Sequence, residues 1–302
     1  MQDHLFKLPD GRGLSYAVYG PLNGLPVLYF HGTPSSRLEP LLINKYGKDL
    51  EELLKSYGIR LIAIDRPGMG RSSFNMQNSF LNFATDVKEL LHHLEIKSCQ
   101  LLCWSGGGTY ALAMAYSSSI ISNVYIICGF SRQFNKDVLQ QMGNNKLYFL
   151  TAKRFPWFLE LSLKIVSKRK KLRPIPQWLT GLSYVDYMLL HEVDQLEWLS
   201  KHTLKEAVIK DTRGAIDEAR SYFKPPGFKL KEIKQKVHYW WGTKDGAVVQ
   251  LHAEAVEQQV PNAVMHYREG EGHLSLYIKA FEEILQTIKT EAEQEVDLMM
   301  NR

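Results

Sequence analysis

A serine, an aspartate and a histidine that could cooperate in nucleophilic catalysis lie far apart in the chain, each soon after an apolar, strand-like run. They are Ser105, Asp245 and His273. A serine hydroxyl is a poor nucleophile at neutral pH unless a base takes its proton, and an imidazole can take that proton and then donate it to a leaving group. We therefore expect Ser105 to be the nucleophile, His273 the base and Asp245 the carboxylate that orients the imidazole.

These three residues also have structural explanations. Ser105 could simply end a strand, whereas Asp245 and His273 could cap a turn or the helix that follows. The rival aspartates and histidines lie within helical or strand-like sequence instead of after a strand; they are Asp211, Asp217, His252 and His266. The catalytic interpretation is therefore favoured.

The residues around the serine have the composition of a sharp turn between a strand and a helix. The segment Cys103-Trp104-Ser105-Gly106-Gly107 follows an apolar run and precedes an apolar helical pattern. Small residues two positions before and after such a serine let the strand and the helix pass close together, and the turn lifts the hydroxyl above the sheet. A cysteine stands here where a glycine is usual, and taken alone the segment could be an ordinary glycine-rich turn.

Two further motifs follow apolar runs before the serine. The first is His31-Gly32-Thr33-Pro34, and the second, Asp-Arg-Pro-Gly-Met-Gly-Arg-Ser, begins at Asp65. Together with the order serine, aspartate, histidine, these motifs resemble α/β-hydrolases, in particular small esterases and prolyl-aminopeptidase-like enzymes with a lid inserted after the sixth strand. The resemblance implies an α/β fold with a mostly parallel eight-stranded sheet flanked by helices and an inserted helical cap.

The resemblance also implies an oxyanion hole made of two backbone N–H groups. One belongs to Gly106, directly after the nucleophile, and the other to Thr33, because Pro34 has no N–H to donate. His31 is expected to hold this loop in place, and the motif at Asp65 is expected to brace the site. Side chains that could line an acyl pocket are His31, Trp104, Phe149, Trp157 and Trp178, although those of the inserted segment could instead form its own core.

Strand-like and helical patterns alternate up to residue 130 and again after residue 225, which predicts a parallel sheet covered by helices. The segment 131–225 breaks this alternation, because it contains helical stretches and no convincing strand. We therefore expect a core domain formed by 1–130 and 226–302, and a helical cap formed by 131–225. A helix is predicted over 40–57, and helical stretches are predicted around 146–167, 184–199 and 204–222.

Positive charge is concentrated in the segment 131–225. It holds 17 Lys and Arg against 10 Asp and Glu, a net charge of +7, although the whole chain carries only +5. The densest cluster is the run 168–173, which could attract an acidic substrate, a membrane surface or nucleic acid. Because aromatic residues that could stack on bases are not interleaved with it, we favour a solvated loop and expect no nucleic-acid partner.

The remaining composition predicts a cytoplasmic protein without cofactors. Cys99, Cys103 and Cys128 lie in or beside apolar runs, which favours buried free thiols, and they lack the spacing of a zinc site. No run is long and apolar enough for a membrane span. The glycines at 106–108 do not match a dinucleotide fingerprint, so we expect neither a metal nor an organic cofactor. The sequence carries no signal of oligomeric state.

We therefore expect a serine hydrolase that cleaves a small-molecule carboxylic ester through an acyl-enzyme. An amide or peptide hydrolase of the aminopeptidase type is the first alternative. Prolyl aminopeptidases of this fold, however, carry His-Gly-Gly-Pro-Gly and Gly-Gly-Ser-Trp-Gly where this chain has His-Gly-Thr-Pro-Ser and Cys-Trp-Ser-Gly-Gly. The second alternative is a catalytically idle scaffold that binds a small ligand, although such a scaffold has no chemical need for all three catalytic groups.

Overall fold

A sheet of eight strands runs through the centre of the computed structural model, which describes residues 1–169, 176–190 and 193–300. The strands are β1 (Gln2–Lys7), β2 (Gly13–Tyr19), β3 (Leu25–Phe30), β4 (Ile59–Ile64), β5 (Cys99–Trp104), β6 (Ile121–Ile127), β7 (Lys236–Gly242) and β8 (Ala263–Arg268). Their order across the sheet is β1, β2, β4, β3, β5, β6, β7, β8. Only the β1–β2 and β2–β4 pairs are antiparallel, so the predicted mostly parallel eight-stranded sheet is confirmed.

Helices connect the strands and fill the segment between β6 and β7. Those of the core are α1 (Leu50–Tyr57), α2 (Phe80–His93), α3 (Gly107–Ser117), α11 (Gln250–Gln259) and α12 (His273–Met300). The segment between β6 and β7 contains α4 (Lys136–Gln141), α5 (Lys146–Arg154), α6 (Pro156–Lys168), α7 (Gln177–Thr180), α8 (Tyr184–Leu189), α9 (Val193–Ser200) and α10 (Arg213–Ser221). Short 3-10 turns lie at Glu39–Tyr46, Gly143–Asn145 and Leu230–Glu232, and a π-helical turn at Lys201–Lys205.

The centre of the sheet is the best-buried part of the molecule. Every residue of β5 is buried, and all but one residue of β6 is buried as well. Helices on both faces explain why these strands are continuous apolar runs instead of alternating ones. Ser105 comes directly after β5, so it stands beyond the carboxyl ends of the parallel strands, where sheets of this kind bind their ligands.

All four predicted helical stretches are interrupted. The stretch over 184–199 is divided into α8 and α9, and the stretch over 204–222 is interrupted at residues 208–212, before α10 begins. The prediction over 40–57 is wrong because Gly47 adopts a left-handed φ of +79°, after which the Asp49 side chain accepts a hydrogen bond from Glu52 N and starts α1 anew. The prediction over 146–167 is wrong because the chain breaks at Phe155 and restarts at Pro156, whose ring has no N–H to continue α5. Local apolar periodicity persists across the breaks at Gly47 and Phe155, which is why the sequence pattern concealed them.

Every regular element within the described part of 131–225 is helical, as expected for an inserted helical segment. Its extent as a separate cap domain stays a prediction. Of the basic run 168–173, only Lys168 and Arg169 belong to the described residues, and both are exposed. Over the described ranges, no helix combines the length and apolar character needed to cross a bilayer.

Candidate active site

The turn that carries Ser105 is sharp. Ser105 has φ of +55°, a left-handed conformation that costs free energy for a residue with a Cβ and that must be held by its surroundings. Its N–H donates to Ile127 O at 3.0 Å, and its carbonyl accepts from Phe130 N at 3.0 Å and Gly108 N at 3.1 Å. A Cβ on Gly107 would collide with the carbonyl of Phe30, so a glycine is required where α3 passes β3.

Asp245 and His273 form a direct hydrogen bond. The distance from His273 Nδ1 to Asp245 Oδ2 is 2.7 Å, with the Asp245 side chain fully buried and the His273 side chain 13% exposed. Because an ionised carboxylate only accepts, Nδ1 is the donor, which leaves Nε2 free to take a proton. The other oxygen of Asp245 accepts from the N–H groups of Ala247 and Val248, both at 2.8 Å, which fix the carboxylate.

The surroundings of His273 shift its pKa. Burial lowers this pKa, but the Asp245 carboxylate acts against burial through its charge and its hydrogen bond. The charges of Asp186 and Glu39 add to the same effect, so that the net shift of the His273 pKa is upward. These carboxylates therefore stabilise the imidazolium that would form during proton transfer.

Ser105 and His273 lie at the same edge of the sheet. Trp104, next to Ser105, is stacked on the His273 ring with centroids 5.1 Å apart. Cys128, which follows β6 beside the serine turn, lies with its sulfur within 4.8 Å of the ligand atoms of both Asp245 and His273. Over the described ranges, neither Ser105 Oγ nor His273 Nε2 makes a hydrogen bond, and hydrogen bonds of this kind often form only when substrate is present.

The loop after β3 lies against the serine. A Cβ placed on Gly32 would be 3.2 Å from Ser105 Cβ and 3.7 Å from Ser105 Oγ. Within the part of the chain that the structure describes, the N–H groups of Thr33 and Gly106 donate no hydrogen bond. Two N–H groups in this position could stabilise an oxygen that gains negative charge.

Comparison with known protein families identifies the fold. A family model described as the alpha/beta hydrolase fold matches residues 26–280.

The chain belongs to the α/β-hydrolase family.

Two relatives found by sequence comparison illustrate the range of proteins in this family. The chain is 24% identical over 268 residues to the uncharacterized hydrolase YcgS of Bacillus subtilis, covering 88% of this chain and 89% of YcgS. It is 26% identical over 152 residues to a proline iminopeptidase of Xanthomonas citri, covering 49% of this chain and 46% of that enzyme. Among solved structures, a thermophilic esterase from Thermogutta terrifontis aligns with a TM-score of 0.66 at 18% identity, covering 97% of this chain and 99% of the esterase.

His31 lies inside the loop of this α/β-hydrolase and has no surface exposed to a pocket. It is fully buried, its Nδ1 donates to Gly32 O at 2.8 Å, and its Nε2 accepts from Arg66 N at 3.3 Å. Burial, with the nearby Arg66 charge, holds the pKa of His31 well below its usual value. A neutral imidazole with a hydrogen bond at each ring nitrogen stabilises the conformation of the loop.

The remaining pocket candidates fall into two groups. Trp104 is 7% exposed and covers His273, and Phe149 is 6% exposed within a cluster of aromatic rings that includes Phe130 and Phe134. Trp157 and Trp178, by contrast, are 67% and 73% exposed. Their assignment to a substrate pocket stays a prediction.

Sequence reasoning missed Asp186, which lies in α8 of the inserted segment and is 1% exposed. One of its oxygens accepts from His273 N at 2.7 Å, and the other accepts from Leu274 N and Ser275 N at 2.9 Å. The carboxylate thus satisfies the first N–H groups of α12, the helix that begins at His273. No local motif marks Asp186, because its partners lie almost ninety residues away.

Sequence reasoning also missed Glu39, which is 1% exposed behind the loop after β3. Its Oε1 accepts from Gly32 N at 2.8 Å and from Tyr29 Oη at 2.7 Å. Burial raises the pKa of Glu39 to about 7, although these hydrogen bonds act in the opposite direction. No motif or periodic pattern in the sequence indicates that Glu39 lies beside this loop.

Cys128, Asp245 and His273 bring three potential metal ligands together. The carboxylate and the imidazole, however, are already bonded to each other. Burial raises the pKa of the Cys128 thiol well above its usual value, and the Asp245 charge adds to this, so that the thiolate a metal requires is disfavoured. The set is better suited to proton transfer than to metal binding.

Proposed function

We propose that this α/β-hydrolase cleaves carboxylic esters through an acyl-enzyme formed on Ser105. The observation that carries the proposal is the hydrogen bond between a buried carboxylate and His273, located at the edge of the sheet where the strained serine turn lies. A carboxylate, an imidazole with a free Nε2 and a serine at such a turn are the three groups that acyl transfer needs.

In this mechanism, Ser105 Oγ attacks the ester carbonyl carbon while His273 Nε2 takes the hydroxyl proton. The carbonyl oxygen becomes an oxyanion, which the N–H groups of Thr33 and Gly106 stabilise. When the C–O bond to the alcohol breaks, the imidazolium returns its proton to the departing oxygen. A water molecule, deprotonated by the same imidazole, then attacks the acyl-enzyme. The bond from the acyl carbon to Ser105 Oγ breaks, the imidazolium returns the proton to Oγ, and the acid is released.

We place the substrate between the core and the segment 131–225, which we propose acts as a cap. In support, the segment reaches both sides of the site. Asp186 in α8 bonds the backbone of His273, and Glu218 in α10 bonds the hydroxyl of Thr33.

An aminopeptidase-like amide hydrolase is the second candidate, favoured by the similarity to a proline iminopeptidase. That similarity spans 49% of the chain. The loop and serine motifs also depart from those of prolyl aminopeptidases. Esters are chemically the easier substrates, since an alkoxide leaves more readily than an amide ion, so we favour the ester.

Covalent labelling with a fluorophosphonate tests the proposal. The serine oxygen displaces fluoride from phosphorus, so the wild-type protein should be labelled and Ser105→Ala should not. Equal labelling of the two would exclude Ser105 as the nucleophile, and an unlabelled wild type would favour an idle scaffold. Hydrolysis of p-nitrophenyl esters but not of aminoacyl-anilides then supports the ester assignment, and the reverse preference contradicts it.

A further inference from the structure

A buried ion pair joins the inserted segment to the loop after β3. Arg66 Nε lies 2.5 Å from Glu218 Oε2, and Arg66 Nη2 lies 2.8 Å from Glu218 Oε1. Both side chains are 1% exposed. Glu218 belongs to α10, so a helix of the inserted segment supplies the only acid bonded to Arg66 among the described residues.

Arg66 uses its other N–H groups on the loop itself. Nη2 donates to Gly32 O at 2.7 Å, and Nη1 donates to the carbonyl of His31. Because a peptide unit is planar and trans, a carbonyl fixed at Gly32 fixes the opposite direction for the N–H of Thr33. Arg66 therefore sets the orientation of one of the two proposed oxyanion donors.

The same helix end contacts the residue that carries the second donor, at the carbonyl of the peptide that follows the Gly106 N–H. Tyr222, just after α10, donates from Oη to Gly106 O at 2.9 Å, and its Oη lies 2.9 Å from Thr33 Oγ1. Thr33 Oγ1 also donates to Glu218. A Cβ on Gly106 would collide with Thr33 Oγ1 and lie 2.6 Å from Tyr222 Oη, so the serine turn and the loop are in contact beneath α10.

Stability alone is a weak reason for this arrangement. A buried ion pair loses the hydration of two charges, and replacement by well-packed apolar residues is often neutral or stabilising. A fully bonded guanidinium and carboxylate do, however, impose directions on the groups they contact. Here those groups are the carbonyl of Gly32, whose peptide carries the Thr33 N–H, and the hydroxyl groups of Thr33 and Tyr222. Tyr222 in turn holds the carbonyl of Gly106, the residue that carries the second N–H.

We infer that Glu218 and Tyr222 are positioning residues for the oxyanion hole, so that the inserted segment acts on catalysis through these two side chains. The inference rests on the proposed function. Misplaced donors would weaken binding of the charged transition state far more than binding of the neutral ester. Loss of either residue should therefore lower kcat and leave KM nearly unchanged.

Kinetics of Glu218→Gln and Tyr222→Phe on a p-nitrophenyl ester test the inference. We expect kcat to fall about 10- to 100-fold for Glu218→Gln and about 3- to 10-fold for Tyr222→Phe, with KM changed less than about 2-fold. A boronic acid, whose tetrahedral serine adduct places an oxygen in the same hole, should lose affinity in proportion to kcat/KM.

Matched controls separate positioning from general destabilisation. Tyr148→Phe removes a hydroxyl that donates to Ala215 O of α10 at 3.1 Å, and Asp86→Asn removes a buried carboxylate bound by Arg12 at 2.7 Å. Both controls should lower the melting temperature and keep kcat within about 2-fold.

Three outcomes would overturn the inference: an unchanged kcat in both variants, a raised KM at constant kcat, or a boronic acid affinity that stays constant while kcat falls. If Glu218→Gln fails to fold, Tyr222→Phe decides alone. Ser105→Ala separates the two proposals. An inactive Ser105→Ala with fully active Glu218 and Tyr222 variants refutes only the positioning role, whereas an active Ser105→Ala refutes the proposed function.

Discussion

The core and the inserted segment differ in how many of their large apolar side chains are exposed to solvent. Of the 17 large hydrophobic residues exposed in the described structure, 11 lie within 131–225, which is less than a third of the chain. The core instead buries its strands on both faces. Apolar packing thus dominates the centre of the molecule, whereas the segment combines buried inner side chains such as Phe149 with a large exposed apolar surface.

Two buried carboxylates of the segment add directed contacts close to the site. Asp186 bonds the start of α12, and Glu218 pairs with Arg66 beneath α10. Both reach residues that we propose for catalysis, whereas the outward face of α6 carries exposed Trp157, Phe158 and Leu161. We conclude that directed polar contacts position the inner helices of the segment at the site. The side chains of its outer face contribute little to the free energy of unfolding.

The largest effect is expected in the core. His273→Ala removes the proposed base, so kcat should fall by about 10⁴-fold or more, because such groups act as a unit. Ester hydrolysis measured beside His92→Ala, an exposed histidine at the end of α2, provides the control. Residual activity within tenfold of the wild type would remove His273 from the mechanism.

Two aromatic residues of the inserted segment should differ sharply in their effect on stability. Phe149→Ala empties a site packed among aromatic rings and should cost about 3–5 kcal/mol of unfolding free energy. Trp157→Ala changes an exposed ring and should stay within about 0.5 kcal/mol. Chemical denaturation of both variants is the measurement, and similar costs would contradict the contrast between the inner and outer faces.

Asp186→Asn tests whether the segment supports the base. An amide can replace only part of the carboxylate's three backbone hydrogen bonds, so the start of α12 should loosen and kcat should fall about 10-fold. The exposed Asp137→Asn, in the first turn of α4, is the matched control and should retain activity. Wild-type kinetics in Asp186→Asn would show that His273 is held without the segment.

The pH dependence of ester hydrolysis should show a smaller effect of Asp186. Only neutral His273 can accept the serine proton, and its pKa is raised above the usual 6.5. Activity should therefore decline on the acidic side with a midpoint above 6.5. Because Asp186 contributes to this shift, Asp186→Asn should move the midpoint of kcat/KM to lower pH. A midpoint below 6.5 in the wild type would contradict the raised pKa.

The sequence was informative where burial is continuous and partners are local. Apolar runs on both sides of Ser105 predicted a strand and a helix, and the loops after β7 and β8 were recognisable by their position. Asp186, Glu39 and Glu218 could not be found in this way, because their partners lie far along the chain or in a loop whose geometry no periodic pattern encodes. The helix breaks at Gly47 and Pro156 were missed because apolar periodicity continues across them.

The central claim is that an acyl group passes through Ser105. Intact-protein mass spectrometry during turnover of a slow ester, such as p-nitrophenyl trimethylacetate, tests it most directly. We predict a mass increase equal to the acyl group, located by peptide mapping at Ser105 and absent from Ser105→Ala. Ester turnover without an adduct, or an adduct located at another residue such as Cys103, would contradict the account.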